Sequence, residues 1–172
     1  MKIKDRELVY DGYFKMEELK VESPAGETTR ERLIKKNAAA SVVYDTKKEK
    51  FIFVRQWRTG VEDYMVEIPA GTIDNEGNSP KETIIREIDE ETGYKVDWIK
   101  LITIVHPAPA FVDEELHIYY AEVSEKISEG GGTDEHEFID IIEMDLDEVE
   151  EYDFRDMKTE LALNKVFREI NL

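Results

Sequence analysis

The chain has 172 residues, 41% of them hydrophobic, and a formal charge of −18 from 41 acidic and 23 basic side chains. That length suits one compact domain with a small addition, and that charge argues against nucleic-acid backbones and anionic membranes as partners. No apolar run is long enough to span a membrane, Met1-Lys2-Ile3-Lys4-Asp5-Arg6 is no signal peptide, and no cysteine offers a disulfide or thiolate site, so a cytoplasmic protein is expected.

Residues 8–21 alternate loosely, with Val9, Tyr13, Leu19 and Val21 apolar. Ser23-Pro24-Ala25-Gly26 is a turn signal, and residues 28–36 read as a returning strand. This predicts an amino-terminal β-hairpin unit over residues 1–37, too small to bury a core alone. Tyr13 and Phe14 are expected in the core, with stacking on a nucleotide base as the alternative. The main domain, residues 38–172, opens with a buried strand over 38–44, a polar turn and a second strand over 51–56. A short strand over 64–68 leads into Pro69-Ala70-Gly71. After a helix over 80–92, strands are predicted at 96–105 and 116–123, separated by the break Pro107-Ala108-Pro109-Ala110-Phe111. An acidic, glycine-rich loop (129–137) precedes a strand at 138–144, a short helix at 147–152 and an amphipathic helix at 157–170. Mixed strands with two main helices give an α/β sandwich.

The helix over 80–92 carries the densest chemistry. Ser79 is a good N-cap, Pro80 suits the first helical position, and Glu82 completes a capping box. Ile84, Ile85 and Ile88 form the apolar stripe, and Gly93 ends the helix. Glu87 and Glu91 lie one turn apart on one face, with Glu90 beside them. As a solvated acidic face this costs only about 0.2–0.5 kcal/mol per like-charge pair. Drawn into a cleft, unit charges about 4 Å apart repel by about 4 kcal/mol at an effective dielectric near 20, which a divalent cation reverses. Magnesium suits such oxygens, taking one or two carboxylates plus substrate phosphates.

Residues 71–94 resemble the Nudix box, G-x5-E-x7-R-E-U-x-E-E-x-G-U, where U is a bulky apolar residue. Gly71, Arg86, Glu87, Ile88, Glu90, Glu91, Gly93 and Tyr94 match. The first half departs by a one-residue insertion: Gly77 stands at the first glutamate's place, Glu76 precedes it, and counting back from Arg86 gives Asn78. The resemblance implies the Nudix fold, a mixed sheet between helices, from about residue 38 onward. It also implies a magnesium-dependent pyrophosphohydrolase, with manganese as a possible substitute. Glu87, Glu91 and the Ala70 carbonyl are the implied metal ligands, Glu90 serves a second ion or water, and Arg86 orients Glu87 through a bidentate pair.

Segments outside the box look like the ADP-ribose pyrophosphatase branch: Val54-Arg55-Gln56-Trp57-Arg58, Glu67-Ile68-Pro69-Ala70-Gly71, and Pro109-Ala110-Phe111-Val112-Asp113-Glu114. Pro109 lies sixteen residues after the last box glycine, a mark of that branch. The amino-terminal unit is similar too, which implies a homodimer that exchanges it. The Gly130-Gly131-Gly132 loop and Asp134-Glu135-His136-Glu137 look as much like GDP-mannose and related nucleoside-diphosphate-sugar members. The likeness to the ADP-ribose pyrophosphatase branch implies a general base on a loop before the last strand, which is Glu135, with Glu137 in reserve, on a loop hinged by the glycines. Arg58 contacts phosphate, and Glu67 orients metal-bound water. His106 and His117 receive no chemistry. The expected reaction is hydrolysis of ADP-ribose to AMP and ribose 5-phosphate, with GDP-mannose as the alternative substrate. A Nudix-fold sensor that binds such ligands without cutting them is the alternative of another class.

Overall fold

The structure is a computed structural model that describes residues 1–73, 77–132 and 138–170. Its first unit is a three-stranded antiparallel sheet in the order β1 (Lys2–Asp11), β2 (Lys15–Ser23), β3 (Gly26–Ile34). The expected hairpin corresponds to β2–β3, but its first arm, expected over 8–21, is divided at residues 12–14 between the end of β1 and β2. The hairpin closes where the Ser23 hydroxyl accepts from Ala25 N–H at 3.2 Å and donates to the Gly26 carbonyl at 2.9 Å. Strand β1 is an addition to that expectation. Register shifts between Ile3 and Asp5 and between Leu8 and Tyr10 break its period of two, so no alternation shows in the sequence. Tyr13 and Phe14 are not core residues, contrary to expectation. They sit between β1 and β2, 95% and 51% exposed, stacked edge-to-face on each other at 4.9 Å.

The second unit is a seven-stranded mixed sheet built from β4 (Ala38–Asp45), β5 (Lys50–Arg58), β6 (Asp63–Glu67), β7 (Ala70–Thr72), β8 (Tyr94–Val105), β9 (Leu116–Lys126) and β10 (Ile139–Met144). Its order is β10-β5-β4-β9-β8, with β6 paired to β5 and β7 to β4. Strands β4 and β9 are parallel; the other pairs are antiparallel. The helices α1 (Pro80–Thr92), α2 (Leu146–Glu151) and α3 (Met157–Ile170) cover two faces. Alternation along β4 divides the core. Ala39 and Val43 face Ile84 and Ile88 of α1, whereas Ala40 and Val42 face Ala162, Leu163 and Val166 of α3. The expected α/β sandwich is therefore present.

The entrance of α1 follows from its sequence. Ser79 accepts from Glu82 N–H, and the Glu82 carboxylate accepts from Ser79 N–H at 2.7 Å. Ile84 and Ile88 are fully buried, Ile85 only partly, and Thr83 and Thr92 join the buried side. Gly93 takes the left-handed conformation at φ 76° and donates to the Asp89 carbonyl. The two units meet where Leu33 N–H donates to the Phe111 carbonyl at 2.8 Å and Lys35 N–H to Asp113 Oδ1 at 2.8 Å. That seam holds the Pro109-to-Glu114 segment.

Candidate active site

Strand β7 organises the site. It pairs Ala70 with Ala40, Gly71 with Ala39 and Thr72 with Ala38, so three alanines on β4 give it a flat bed. On α1, Glu91 is buried and accepts from Ala70 N–H at 3.2 Å. Gly71 lies against Glu87 so closely that a Cβ there would overlap the carboxyl group. The box glycine thus answers a close approach rather than a turn: a side chain there would displace the Glu87 carboxylate.

Arg86 spreads over two carboxylates. Its Nη2 donates to Glu87 Oε1 and its Nη1 to Glu90 Oε2, both at 2.6 Å. Burial works against the guanidinium's charge, but Glu87 and Glu90 outweigh it and raise its pKa. The expected contact is a bidentate pair with Glu87; here Nη2 bonds Glu87 and Nη1 bonds Glu90, so the two arms of the guanidinium bridge neighbouring carboxylates. Glu87 and Glu90 thus share one arginine, while Glu91 turns to the Ala70 amide on β7. Among the described residues no three acidic or imidazole side chains stand together as a ready-made cation cage. The donors still fit a hard divalent ion, which takes one or two carboxylates and completes its shell with water and phosphate.

Ala70 and Gly71 also line a cavity of about 530 Å³. Its wall carries four cations, Lys35, Arg58, Arg155 and Lys158, and three carboxylates, Glu67, Glu114 and Asp156. That wall carries a slight positive excess although the chain as a whole is at −18, so it repels an anion less than the mean charge of the chain would.

Glu67, at the end of β6 and 3% exposed, is the centre of that wall. Arg58 donates to it through Nε at 2.7 Å and Nη2 at 2.8 Å, a bidentate pair. Lys158 from α3 also donates to it, and to Asp156 Oδ2 at 2.9 Å. Burial pushes the Glu67 carboxyl up, but hydrogen bonds from Arg58 and the charge of Lys158 outweigh it and hold it below the usual carboxylate range. The same pairing raises the Arg58 guanidinium. Lys35 bonds Glu114 Oε1 at 2.7 Å on the cavity wall, and Arg155 bonds Asp63 Oδ2 at 2.8 Å.

The structure brings Arg58, Glu67 and Ala70 to one cavity and sets Arg86, Glu87, Glu90 and Glu91 behind its β7 edge. Glu135 and Glu137 lie outside the described residues, as does Glu76. Gly130, Gly131 and Gly132 adopt positive φ of 70°, 98° and 86°, but Gly131 and Gly132 are bonded to the end of α1. Lys35, Glu114, Arg155 and Lys158 were not legible as site residues. Lys158 falls in the first turn of an amphipathic helix, where a lysine reads as solvated, and only the packing of α3 brings it to Glu67.

The NUDIX domain family profile matches residues 35–163. The chain is 37% identical over 132 residues to the methanol dehydrogenase activator of Bacillus methanolicus, covering 77% of this chain and 71% of that protein. It is 35% identical over 147 residues to the ADP-ribose pyrophosphatase of Bacillus subtilis (strain 168), covering 83% and 79%. It is 36% identical over 140 residues to the GDP-mannose pyrophosphatase of Salmonella typhimurium, covering 74% and 72%. The fold is shared with a crystal structure of an ADP compounds hydrolase at a TM-score of 0.82, with 24% identity over 99% of this chain and 94% of that one.

Proposed function

The chain belongs to the Nudix family, and on that premise we propose that it hydrolyses the diphosphate bond of nucleoside diphosphate sugars, with ADP-ribose preferred and GDP-mannose as the alternative. The observation that carries this reading is the carboxylate-bearing half of α1 packed on β7, whose residues also line the cavity.

A divalent cation, magnesium or in its place manganese, held by Glu87, Glu91 and the Ala70 carbonyl with Glu90 alongside, supplies charge neutralisation on the diphosphate oxygens. The chain's own residues supply the rest. Arg58 gives its Nε and Nη2 edge to Glu67, which leaves the Nη1 hydrogens for a phosphate oxygen. Glu67 holds that guanidinium in place and, as a carboxylate acceptor, would itself orient the water that a bound cation carries. The water's proton goes to Glu135, with Glu137 as the alternative. Arg86 fixes the carboxylates of Glu87 and Glu90. Residues 1–37 act as a separate dimerisation unit exchanged between two copies, and the protein works in the cytoplasm. Among the described residues no helix is long and apolar enough to cross a membrane.

The test is kcat/KM for ADP-ribose and GDP-mannose at equal magnesium. ADP-ribose is expected to win. GDP-mannose cleaved more than about tenfold better, roughly 1.4 kcal/mol of transition-state stabilisation, overturns the substrate but not the hydrolase. Tight binding of both with turnover of neither overturns the hydrolase in favour of a sensor.

A further inference from the structure

The last carbonyls of a helix must find partners outside it. In α1 the Ile88 carbonyl accepts from the Thr92 hydroxyl, and the Asp89 carbonyl from Gly93 N–H at 2.8 Å. The next two are met from a distant part of the chain. Gly132 N–H donates to the Glu90 carbonyl at 3.0 Å, and Gly131 N–H to the Glu91 carbonyl at 2.8 Å. The bonding is reciprocal, since the Gly93 carbonyl accepts from Ile127 N–H at 2.7 Å and Ser128 N–H at 3.2 Å.

The composition of this helix end makes the contact consequential. Asp89, Glu90 and Glu91 stand near the negative end of the helix dipole, and the last turn holds no basic residue. Such a turn is disfavoured electrostatically and would fray if only water met its carbonyls. The amides of Gly131 and Gly132 put positive dipole ends where the helix lacks a cation.

The approach is close enough to admit only glycine. A Cβ on Gly130 would stand 2.6 Å from the Thr92 carbonyl carbon and 2.8 Å from both the Glu91 carbonyl oxygen and the Gly93 nitrogen, at a φ of +70°. A Cβ on Gly93 would overlap the Ser128 carbonyl. Every atom in these clashes is backbone, so no side-chain rotation relieves them. For Gly131, by contrast, the one neighbour of its Cβ position among the described residues is the Ile139 carbonyl at 3.8 Å.

We infer that residues 127–132 clamp the end of α1 and set where Glu90 and Glu91 stand, with Gly130 as a positioning residue for the cation those carboxylates hold. This rests on the divalent-cation reading above. The clamp acts on the two residues' backbone, whereas Arg86 and Ala70 act on their side chains.

Gly130→Ala tests it, with Gly26→Ala as the control. Gly26 also has positive φ, at 114°, but among the described residues nothing lies within 4 Å of its Cβ position. Gly130→Ala should bind Mn²⁺ about tenfold more weakly by calorimetry and need about tenfold more Mg²⁺ for half-maximal rate, with KM for the nucleotide sugar unchanged at saturating Mg²⁺. Gly26→Ala should match wild type in all three. A Gly130→Ala protein whose Mn²⁺ affinity stays within twofold of wild type overturns the inference, as does an equal loss in Gly26→Ala. Hydrogen exchange of the wild-type chain covers the case in which Gly130→Ala does not fold. Amides of residues 127–132 should gain protection on adding Mg²⁺ in step with those of residues 88–93. Protection confined to residues 88–93 overturns the clamp. Wild-type protein that binds no Mn²⁺ overturns the cation reading itself, a result distinct from all of these.

Discussion

Replacing Glu67 by glutamine tests the charge cluster on the cavity wall. The amide keeps the volume, so no cavity opens, but the negative charge shared by Arg58 and Lys158 is lost. Hydrogen bonds to charged groups contribute about 1.5–3 kcal/mol each, and breaking a fully buried ion pair costs about 3–5 kcal/mol. Two features reduce the loss here. The Arg58 side chain is 44% exposed and can turn to water, and Lys158 keeps Asp156. The expected destabilisation at pH 7 is about 2–4 kcal/mol, a fall in Tm of about 5–15 °C for a chain of this size. The pH dependence has a fixed sign. Burial alone would raise the Glu67 pKa, but Arg58 and Lys158 depress it overall. A depressed carboxylate stabilises the fold fully above its unfolded pKa and loses that contribution as pH falls through the folded value. The gap between wild type and Glu67→Gln should therefore be full at pH 7 and shrink below about pH 4. Urea unfolding at pH 7, 5 and 3.5 measures it. A gap under about 0.5 kcal/mol at pH 7, or one that widens on acidification, refutes the reasoning.

Two further outcomes bear on the site and the assembly. Glu91→Gln should abolish turnover by weakening magnesium binding while circular dichroism stays that of wild type; near-normal turnover at saturating magnesium removes Glu91 from the ligand set. Deleting residues 1–36 should leave an inactive monomer or aggregate, because it removes β1 to β3 and the Lys35–Glu114 pair on the cavity wall. A fully active truncated monomer in analytical ultracentrifugation refutes the exchanged homodimer.

Legibility in the sequence followed the range of the forces involved. Helix α1 was readable to the residue because Ser79, Pro80, Glu82 and Gly93 act within one turn of its ends. Helix α3 was readable from periodicity alone, and the α/β sandwich from the order of elements. Strand β1 was hidden by its register shifts and by Lys2, Lys4, Asp5, Arg6 and Glu7. Strand β7 was unreadable because three residues, Ala70, Gly71 and Thr72, carry no period. Arg58 and Glu67 are each legible, but for separate tasks. The register sets Arg58 opposite Asp63 and Glu67 opposite Val54, so their bidentate bond is made by side chains reaching along the ladder and not by cross-strand neighbours. Lys35, Arg155 and Lys158 reach the cavity through tertiary packing, for which a sequence offers no local sign.

The two ends of α1 differ in when they can form. The entrance is closed by Ser79 and Glu82, three residues apart, so it is available to a nearly unfolded chain. The exit is closed by amides about forty residues further on, beyond β8 and β9, which pair with each other in the native fold. Loop closure of that length delays the contact relative to helix growth. The turn that bears Glu90 and Glu91 is therefore among the last parts of α1 to become fixed. During refolding, helical signal should rise before divalent-cation affinity, and the interval between them times the arrival of β9.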